Sequence, residues 1–195
     1  MQGSEGSIYQ LDRRKKKFGF RRVQLIQEPL EEEDHHGKGT TFLFELNNVR
    51  IFIGGIQVNS PSSSTLTPLV LGSNWIPADV YLTLVKPDRL RGLLQLVKDG
   101  NQNMVRVWGG GIYESDAFYE ICDGKHLASG FVDCNSVVVV SELGLLVWQD
   151  FPFACGVYPV FDDFLSTIKL EAIENVLRLR HHPSLVLFCG NNEGK

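Results

Sequence analysis

The sequence is poor in the features that mark several common protein classes. Its four cysteines are too few for a disulfide scaffold and lack the C-x-x-C spacing of a zinc site, so reduced thiols are expected. Its 19 Lys and Arg are outnumbered by 23 Asp and Glu, so the chain has no basic excess with which to neutralise phosphates. No apolar run approaches the roughly 20 residues of a membrane span, and the polar start has no apolar signal-peptide core. We therefore expect a cytoplasmic protein with no nucleic-acid or membrane partner.

The sequence likewise offers no pattern for a metal or a nucleotide cofactor. His35-His36 and His181-His182 are adjacent pairs, whereas metal ligands on a helix stand four residues apart. The glycine triplet before Glu114 is no dinucleotide fingerprint, because that Glu stands where the third glycine of G-x-G-x-x-G belongs. We expect neither a metal nor a cofactor.

What the sequence does contain is a globular composition and an alternating pattern. A hydrophobic content of 43% over 195 residues is enough for the core of one ordinary domain. From Asn101 onward, short apolar runs of the kind found in parallel sheets covered on both faces are separated by helical patterns. These runs are MVRVW, LLVW and SLVLFC.

One long helix is predicted just before the last apolar run. Asp162 and Asp163 stand where a helix N-terminus favours anions, and Pro183 ends the pattern. Apolar residues at three- and four-residue steps define the face of this helix: Leu165, Ile168, Ala172, Val176 and Leu179.

Two further helices and a first strand complete the order. One helix is predicted between Pro87 and Gly100, and a shorter one from Ser115 to about Asp123. With a strand at about Arg50 to Ile53, the order is β-α-β-α-β-α-β, which indicates right-handed βαβ units on a parallel sheet. Half of a closed (β/α)₈ barrel and the core of an open doubly wound sheet both fit this α/β pattern.

Four polar or aromatic residues follow the predicted strands. Trp108, Asp150, Asn192 and Glu193 stand at strand ends, which share one mouth in a parallel barrel. A lone strand-end Glu is more often a solvated loop residue, and a lone Trp is more often core. Their joint occurrence favours a sugar site, because aromatic faces stack on a pyranose ring and carboxylates bind hydroxyls or transfer protons.

Four longer motifs, in this order, carry a family resemblance. The chain resembles the barrel domain of fungal-type β-mannosidases of glycoside hydrolase family 2, and the segment KKFGFRRVQLIQEPL resembles the approach to that barrel. The resemblance implies that residues 1–46 end a β-sandwich domain and its linker, and that residues 47–195 form about the first four units of a (β/α)₈ TIM-type barrel. The four motifs are GSNWIPAD, KDGNQNMVRVWGGGIYESDAFYEICD, ELGLLVWQDFPFACGVYP and RLRHHPSLVLFCGNNE.

The resemblance also implies an activity and a role for each site residue. The family's members are exo-acting retaining enzymes that remove terminal β-D-mannose from oligosaccharides. By motif, Glu193 corresponds to the general acid/base and Asn192 to the residue that hydrogen-bonds the 2-hydroxyl. Asp150 and Trp108 match positions that line the mannose pocket, with Trp75 a less direct neighbour.

A retaining mechanism also requires a nucleophilic carboxylate, and no residue of this sequence resembles it. The resemblance therefore predicts a truncated chain without turnover of its own. A non-catalytic carbohydrate-binding relic or pseudogene product is the alternative.

Two stretches interrupt the family-like text. Residues 55–71 and 124–141 are longer than the connections expected there, and deleting them joins RIFIGGSNWIPAD and YEICDELGLLVWQDF. We interpret them as translated introns; genuine surface-loop insertions are the alternative.

Overall fold

The computed structural model describes residues 21–34, 37–53, 69–123 and 144–194. Over these residues it contains nine strands, three α-helices and one 3₁₀ turn, Leu82–Leu84. The strands are β1 (Val23–Ile26), β2 (Pro29–Asp34), β3 (Gly37–Thr40), β4 (Leu43–Leu46), β5 (Val49–Ile53), β6 (Leu69–Trp75), β7 (Gln102–Val107), β8 (Leu146–Asp150) and β9 (Leu185–Cys189). The helices are α1 (Pro87–Asp99), α2 (Asp116–Asp123) and α3 (Asp162–Leu179).

A mixed seven-stranded sheet organises the described residues. Its order is β1-β4-β5-β6-β7-β8-β9, while β2 and β3 pair in a separate antiparallel hairpin. Strands β1, β4 and β5 pair antiparallel, and every pairing from β5 to β9 is parallel. Helices α1, α2 and α3 connect β6 to β9 in turn, so the predicted α/β class is confirmed.

The antiparallel part ends in a two-residue turn. Asn47 and Asn48 both have positive φ, 50° and 66°, as a type I′ hairpin turn requires. The turn brings Leu46 opposite Val49. The predicted domain boundary after residue 46 falls in this turn, between two strands of one sheet.

The strand that precedes α1 differs from the prediction. Arg50–Ile53 belongs to β5, as predicted, but the strand that leads into α1 is β6. The sequence pattern did not reveal β6 because residues 69–71 were assigned to the first interrupting stretch. Among residues 72–75, Ser73 and Asn74 are exposed and Trp75 is buried, so GSNW gives no apolar run. Parallel hydrogen bonding to β7 gives this segment its strand conformation.

The described residues include only a small part of the two interrupting stretches. Residues 69–71 of the first stretch begin β6, whereas 55–68 lie outside the described residues. All of 124–141 lies outside them as well. Their origin stays a prediction.

The main core lies between the parallel strands and the helices. Helix α1 starts with Pro87 at its first turn and buries Leu90 and Leu94 on one side. These side chains pack with Val105 and Val147, both fully buried. The opposite face of the sheet has a smaller cluster around Phe44 and Met104.

Helix α3 has the predicted bounds but an incompletely packed apolar face. Leu179 is its one buried residue, and Leu165 is 46% exposed. Ile168, Ala172 and Val176 are half-buried. None of the helices in the described part of the chain is long and apolar enough to cross a membrane.

Two tyrosines, one buried and one half-buried, make the fold sensitive to alkali. Burial raises the pKa of Tyr119. The Arg178 guanidinium lowers this pKa in part, and the Glu114 carboxylate raises it further. Burial and the Glu171 carboxylate raise the pKa of Tyr113. Below pH about 10 these tyrosines are protonated in both the folded and the unfolded chain, so their contribution to the free energy of unfolding is fully present. Above it the unfolded chain gives up the protons first, so the free energy of unfolding falls as pH rises toward the folded pKa values.

We therefore expect alkaline unfolding in which tyrosinate absorbance rises together with the loss of circular dichroism. Tyr119→Phe should move the midpoint of this unfolding to higher pH, while Tyr81→Phe should leave it unchanged, because the Tyr81 ring is 69% exposed. Equal shifts for the two variants would contradict the assignment.

Candidate active site

The candidate site is centred on Asp150, the last residue of β8. Arg106 on β7 pairs in register with Trp148, two residues before Asp150, so all three side chains lie on one face of the sheet. This is the face away from the helices. The Asp150 side chain is fully buried and that of Arg106 is 26% exposed.

Protein donors occupy the Asp150 carboxylate. Arg106 donates from Nε to Oδ1 at 3.2 Å and from Nη2 to Oδ2 at 2.7 Å. Trp148 Nε1–H donates to Oδ1 at 2.8 Å, and the Gly109 backbone N–H donates to Oδ2 at 3.2 Å. A carboxylate offers about four lone-pair sites for hydrogen bonds, so these four donors occupy all of them. Asp150 therefore organises its neighbours, and it is not open for proton transfer.

Arg106 connects Asp150 to the neighbouring strand. Its Nη2 also donates to Asn192 Oδ1 at 2.8 Å, and its guanidinium carbon lies 5.5 Å from the centre of the Trp148 ring. Arg106 was not predicted as a site residue. The available signal was a charged residue inside the apolar run MVRVW.

Asn192 is fixed by contacts between the loops after β8 and β9. Its N–H donates to Phe153 O at 2.7 Å, and its carbonyl accepts from Cys155 N at 2.8 Å. An isolated parallel bridge joins Ala154 to Asn192. The amide is 8% exposed, and its orientation is set by Arg106 on one side and the Cys155 sulfur on the other.

Glu193 stands next to Asn192 with an exposed side chain. Its φ is 51°, in the left-handed region that non-glycine residues rarely adopt and that recurs at functional sites. Its Oε2 lies 3.6 Å from Cys155 Sγ. The carboxylate is therefore accessible to a ligand, while the backbone that carries it is held by the paired loops.

Trp108 follows β7 and rests on the glycine triplet. A Cβ added to Gly110 would lie 2.0 Å from the Trp108 ring, so the ring lies against that backbone. A Cβ on Gly109 would lie 2.6 Å from Phe151 O, beside the N–H that binds Asp150. Glycine is needed here for close approach.

Trp75 lies elsewhere. It pairs in register with Val107, on the helix-facing side, and is 8% exposed. Its Nε1–H donates to the buried Glu114 Oε1 at 2.9 Å, and its ring packs against Phe118. The structure thus brings together Asp150, Asn192, Glu193 and Trp108 at the C-terminal ends of β7, β8 and β9, but not Trp75.

The assembled site suits a neutral polyhydroxy ligand. It presents an amide, an accessible carboxylate, an indole ring and a partly exposed guanidinium, which supply hydroxyl contacts and an apolar face. Within the described ranges no group of three or more His, Cys, Asp or Glu side chains could hold a metal ion.

Comparison with known proteins gives close relatives. Beta-mannosidase B of Thermothelomyces thermophilus is 45% identical over 184 residues, 94% of this chain and 17% of that protein. The beta-mannosidase of Capra hircus is 41% identical over 179 residues, 92% of this chain and 16% of that protein. The chain thus spans about a sixth of the length of these relatives. No protein-family model matches it.

Solved structures agree with this relationship. The beta-D-mannosidase from Dictyoglomus thermophilum matches with a TM-score of 0.66 at 41% identity, over 90% of this chain and 16% of that one. A beta-glucuronidase from Parabacteroides merdae matches with a TM-score of 0.57 at 18% identity, over 91% of this chain and 16% of that one, and so shares the fold alone. Over about nine-tenths of its length, this chain is homologous to one segment of the β-mannosidases, which are glycoside hydrolases.

Proposed function

We propose that this chain carries the acid/base side of a β-mannosidase site, built on the first four β/α units of a (β/α)₈ barrel. The parallel order β6-β7-β8-β9, with α1 to α3 as the connecting helices, supports that architecture. In such barrels the reacting groups gather at the C-terminal ends of the strands. The candidate site occupies that end.

The observation that carries the proposal is the network joining Arg106, Asp150 and Asn192 beside Glu193. It spans the ends of three neighbouring strands and fixes the Asn192 amide next to an accessible carboxylate. A rigid amide beside a reachable acid is what selective hydroxyl recognition and proton transfer require.

Each residue has a separate role in the proposed site. In a site completed by a nucleophilic carboxylate, Glu193 would donate a proton to the leaving glycosidic oxygen and later take one from the attacking water. Asn192 hydrogen-bonds a sugar hydroxyl, and Trp108 offers its ring to the apolar face of the mannose. Asp150 holds Arg106 and the Gly109 N–H in place. Trp75 supports the helix-facing core and does not contact sugar.

Turnover by the 195-residue chain itself is not part of this proposal. A retaining glycosidase places a nucleophilic carboxylate about 5–5.5 Å from the acid/base. Asp150 does not serve, because its lone pairs are already taken by protein donors. We propose that the chain binds terminal β-mannosides without hydrolysing them.

The test measures binding of methyl β-D-mannoside by saturation-transfer NMR and turnover of an aryl β-mannoside. We expect binding that weakens about five- to tenfold in Asn192→Ala, since a hydrogen bond contributes about 1–1.5 kcal/mol. Asn175→Ala on α3 is the matched control, because Asn175 lies outside the site. A folded chain that does not bind, or binding unchanged by Asn192→Ala, would contradict the proposed site.

Catalysis is tested separately with Glu193→Gln, using Glu174→Gln on α3 as the control. We expect no turnover from either variant or from the unaltered chain. Turnover that Glu193→Gln abolishes and Glu174→Gln leaves intact would show that the chain supplies a complete site.

A further inference from the structure

The thiol of Cys155 contacts both Asn192 and Glu193, which lie in the loop after β9. Its Sγ accepts from Asn192 Nδ2 at 3.3 Å and donates to Glu193 Oε2 at 3.6 Å. On its other side the same Asn192 amide accepts from Arg106 at 2.8 Å. A continuous series of hydrogen bonds therefore runs from the Arg106–Asp150 ion pair through the amide and the thiol to the exposed carboxylate.

The backbone, and not the thiol, holds Cys155 in place. Its N–H donates to Asn192 O at 2.8 Å, and its φ of 53° keeps the loop turned toward β9. The Tyr158 hydroxyl accepts from Ala154 N at 2.7 Å and donates to Ala154 O at 3.2 Å, which closes the loop on itself. A substitution that removes only the sulfur should leave these contacts intact.

We propose that Cys155 is a positioning residue for Glu193: its thiol hydrogen bond holds the carboxylate beside Asn192. The exposed Glu193 side chain would otherwise sample several rotamers, because the carboxylate has no other hydrogen bond within the described part of the chain. A thiol is a weak donor, so its effect is modest. The catalytic meaning of this role rests on the proposed function; the coupling between the two side chains does not.

The first experiment measures alkylation of each cysteine by iodoacetamide in the 195-residue chain, followed by mass spectrometry. A carboxylate beside a thiol disfavours the reactive thiolate. Glu193→Gln should therefore speed alkylation of Cys155 about threefold or more. Cys189, which is half-buried and bonds to Asn191 O, is the internal reference, and Glu174→Gln is the matched variant. A Cys155 rate that does not respond, or that responds equally to Glu174→Gln, overturns the coupling.

The second experiment follows the Glu193 side chain in a glutamate-labelled chain by NMR, with Glu193→Gln identifying its signals. Cys155→Ala removes the donor, so the Glu193 side chain should lose its preferred rotamer and its Hα–Hβ couplings should become averaged. Cys155→Ser keeps a donor and should retain the rotamer preference of the unaltered chain. Equal couplings for the alanine and serine variants would leave Cys155 without a positioning role.

The two proposals fail in different ways. Mannoside binding without the Cys155–Glu193 coupling overturns the positioning role and leaves the proposed function standing. The coupling without any mannoside binding overturns the proposed function and leaves the hydrogen bonds as a structural property of the loops.

Discussion

Asp150→Ala should lower the free energy of unfolding by about 3 kcal/mol and remove mannoside binding. The substitution leaves the Arg106 guanidinium without its ion-pair partner in a largely buried position, and breaking such a pair costs about 3–5 kcal/mol. The lower end applies because the Arg106 side chain is 26% exposed and water reaches part of the charge. Urea unfolding measured by circular dichroism gives the stability, and the NMR assay gives the binding.

Two further variants separate the contributions. Asp88→Ala removes an exposed carboxylate of α1 and should change the free energy of unfolding by less than about 1 kcal/mol. The double variant Arg106→Met/Asp150→Leu removes both charges and should recover part of the stability, because replacing both partners of a buried pair is far less costly than removing one. It should not recover binding, since Asn192 loses the donor that orients its amide.

If Asp150→Ala proved as stable as Asp88→Ala, the Arg106–Asp150 ion pair would not contribute to the free energy of unfolding. If the double variant bound mannoside normally, the network would not be what orients Asn192. Either result would remove the argument that Asp150 acts by organising its neighbours.

The sequence predicted the parts of this fold that depend on local periodicity. Helix α1 follows from Pro87, its apolar face and Gly100, and strands β7, β8 and β9 follow from continuous apolar runs. Strand β6 does not, because residues 69–71 were interpreted as part of an inserted stretch and the exposed Ser73 and Asn74 give no apolar signal. Its parallel pairing with β7 supplies the hydrogen bonds. Propensity is a weak prior wherever a neighbouring strand supplies the hydrogen bonds.

The candidate site, like the fold, could be predicted from the sequence only in part. Strand ends could be located from the sequence, so Asp150, Asn192 and Glu193 could be expected at one edge of the sheet. Arg106 and Cys155 could not be assigned, because their partners are separated from them by 86 and 37 residues of sequence. Trp75 shows the reverse case: the family resemblance placed it as a neighbour of the mannose pocket, while its side chain lies on the helix-facing side of β6.

A second buried network, at the opposite ends of the strands, should matter more for stability. Asp123, the last residue of α2, accepts from Ser184 N at 2.9 Å and Ser184 Oγ at 2.6 Å, while its other oxygen lies 2.5 Å from His182 Nδ1. All three residues are at most 4% exposed. Nearby, burial lowers the pKa of Arg21 and the Asp123 charge opposes that shift. The sequence showed His182 only as one of an adjacent pair unsuited to metal binding; its role in this network was not predictable, since its partner lies 59 residues away.

Asp123→Ala should therefore lower the free energy of unfolding by about 3–5 kcal/mol, the larger of the two effects, because it leaves a buried imidazole and hydroxyl without their acceptor. Ser184→Ala, which removes one hydrogen bond and keeps the carboxylate, should cost about 1–1.5 kcal/mol. Glu120→Ala on the same helix is the control, since Glu120 is exposed and should cost less than about 0.5 kcal/mol. Urea unfolding measures all three, and mannoside binding, measured where the variants remain folded, should be unchanged. An Asp123→Ala cost no greater than that of Glu120→Ala would mean that the junction of α2 with β9 is held by apolar packing alone.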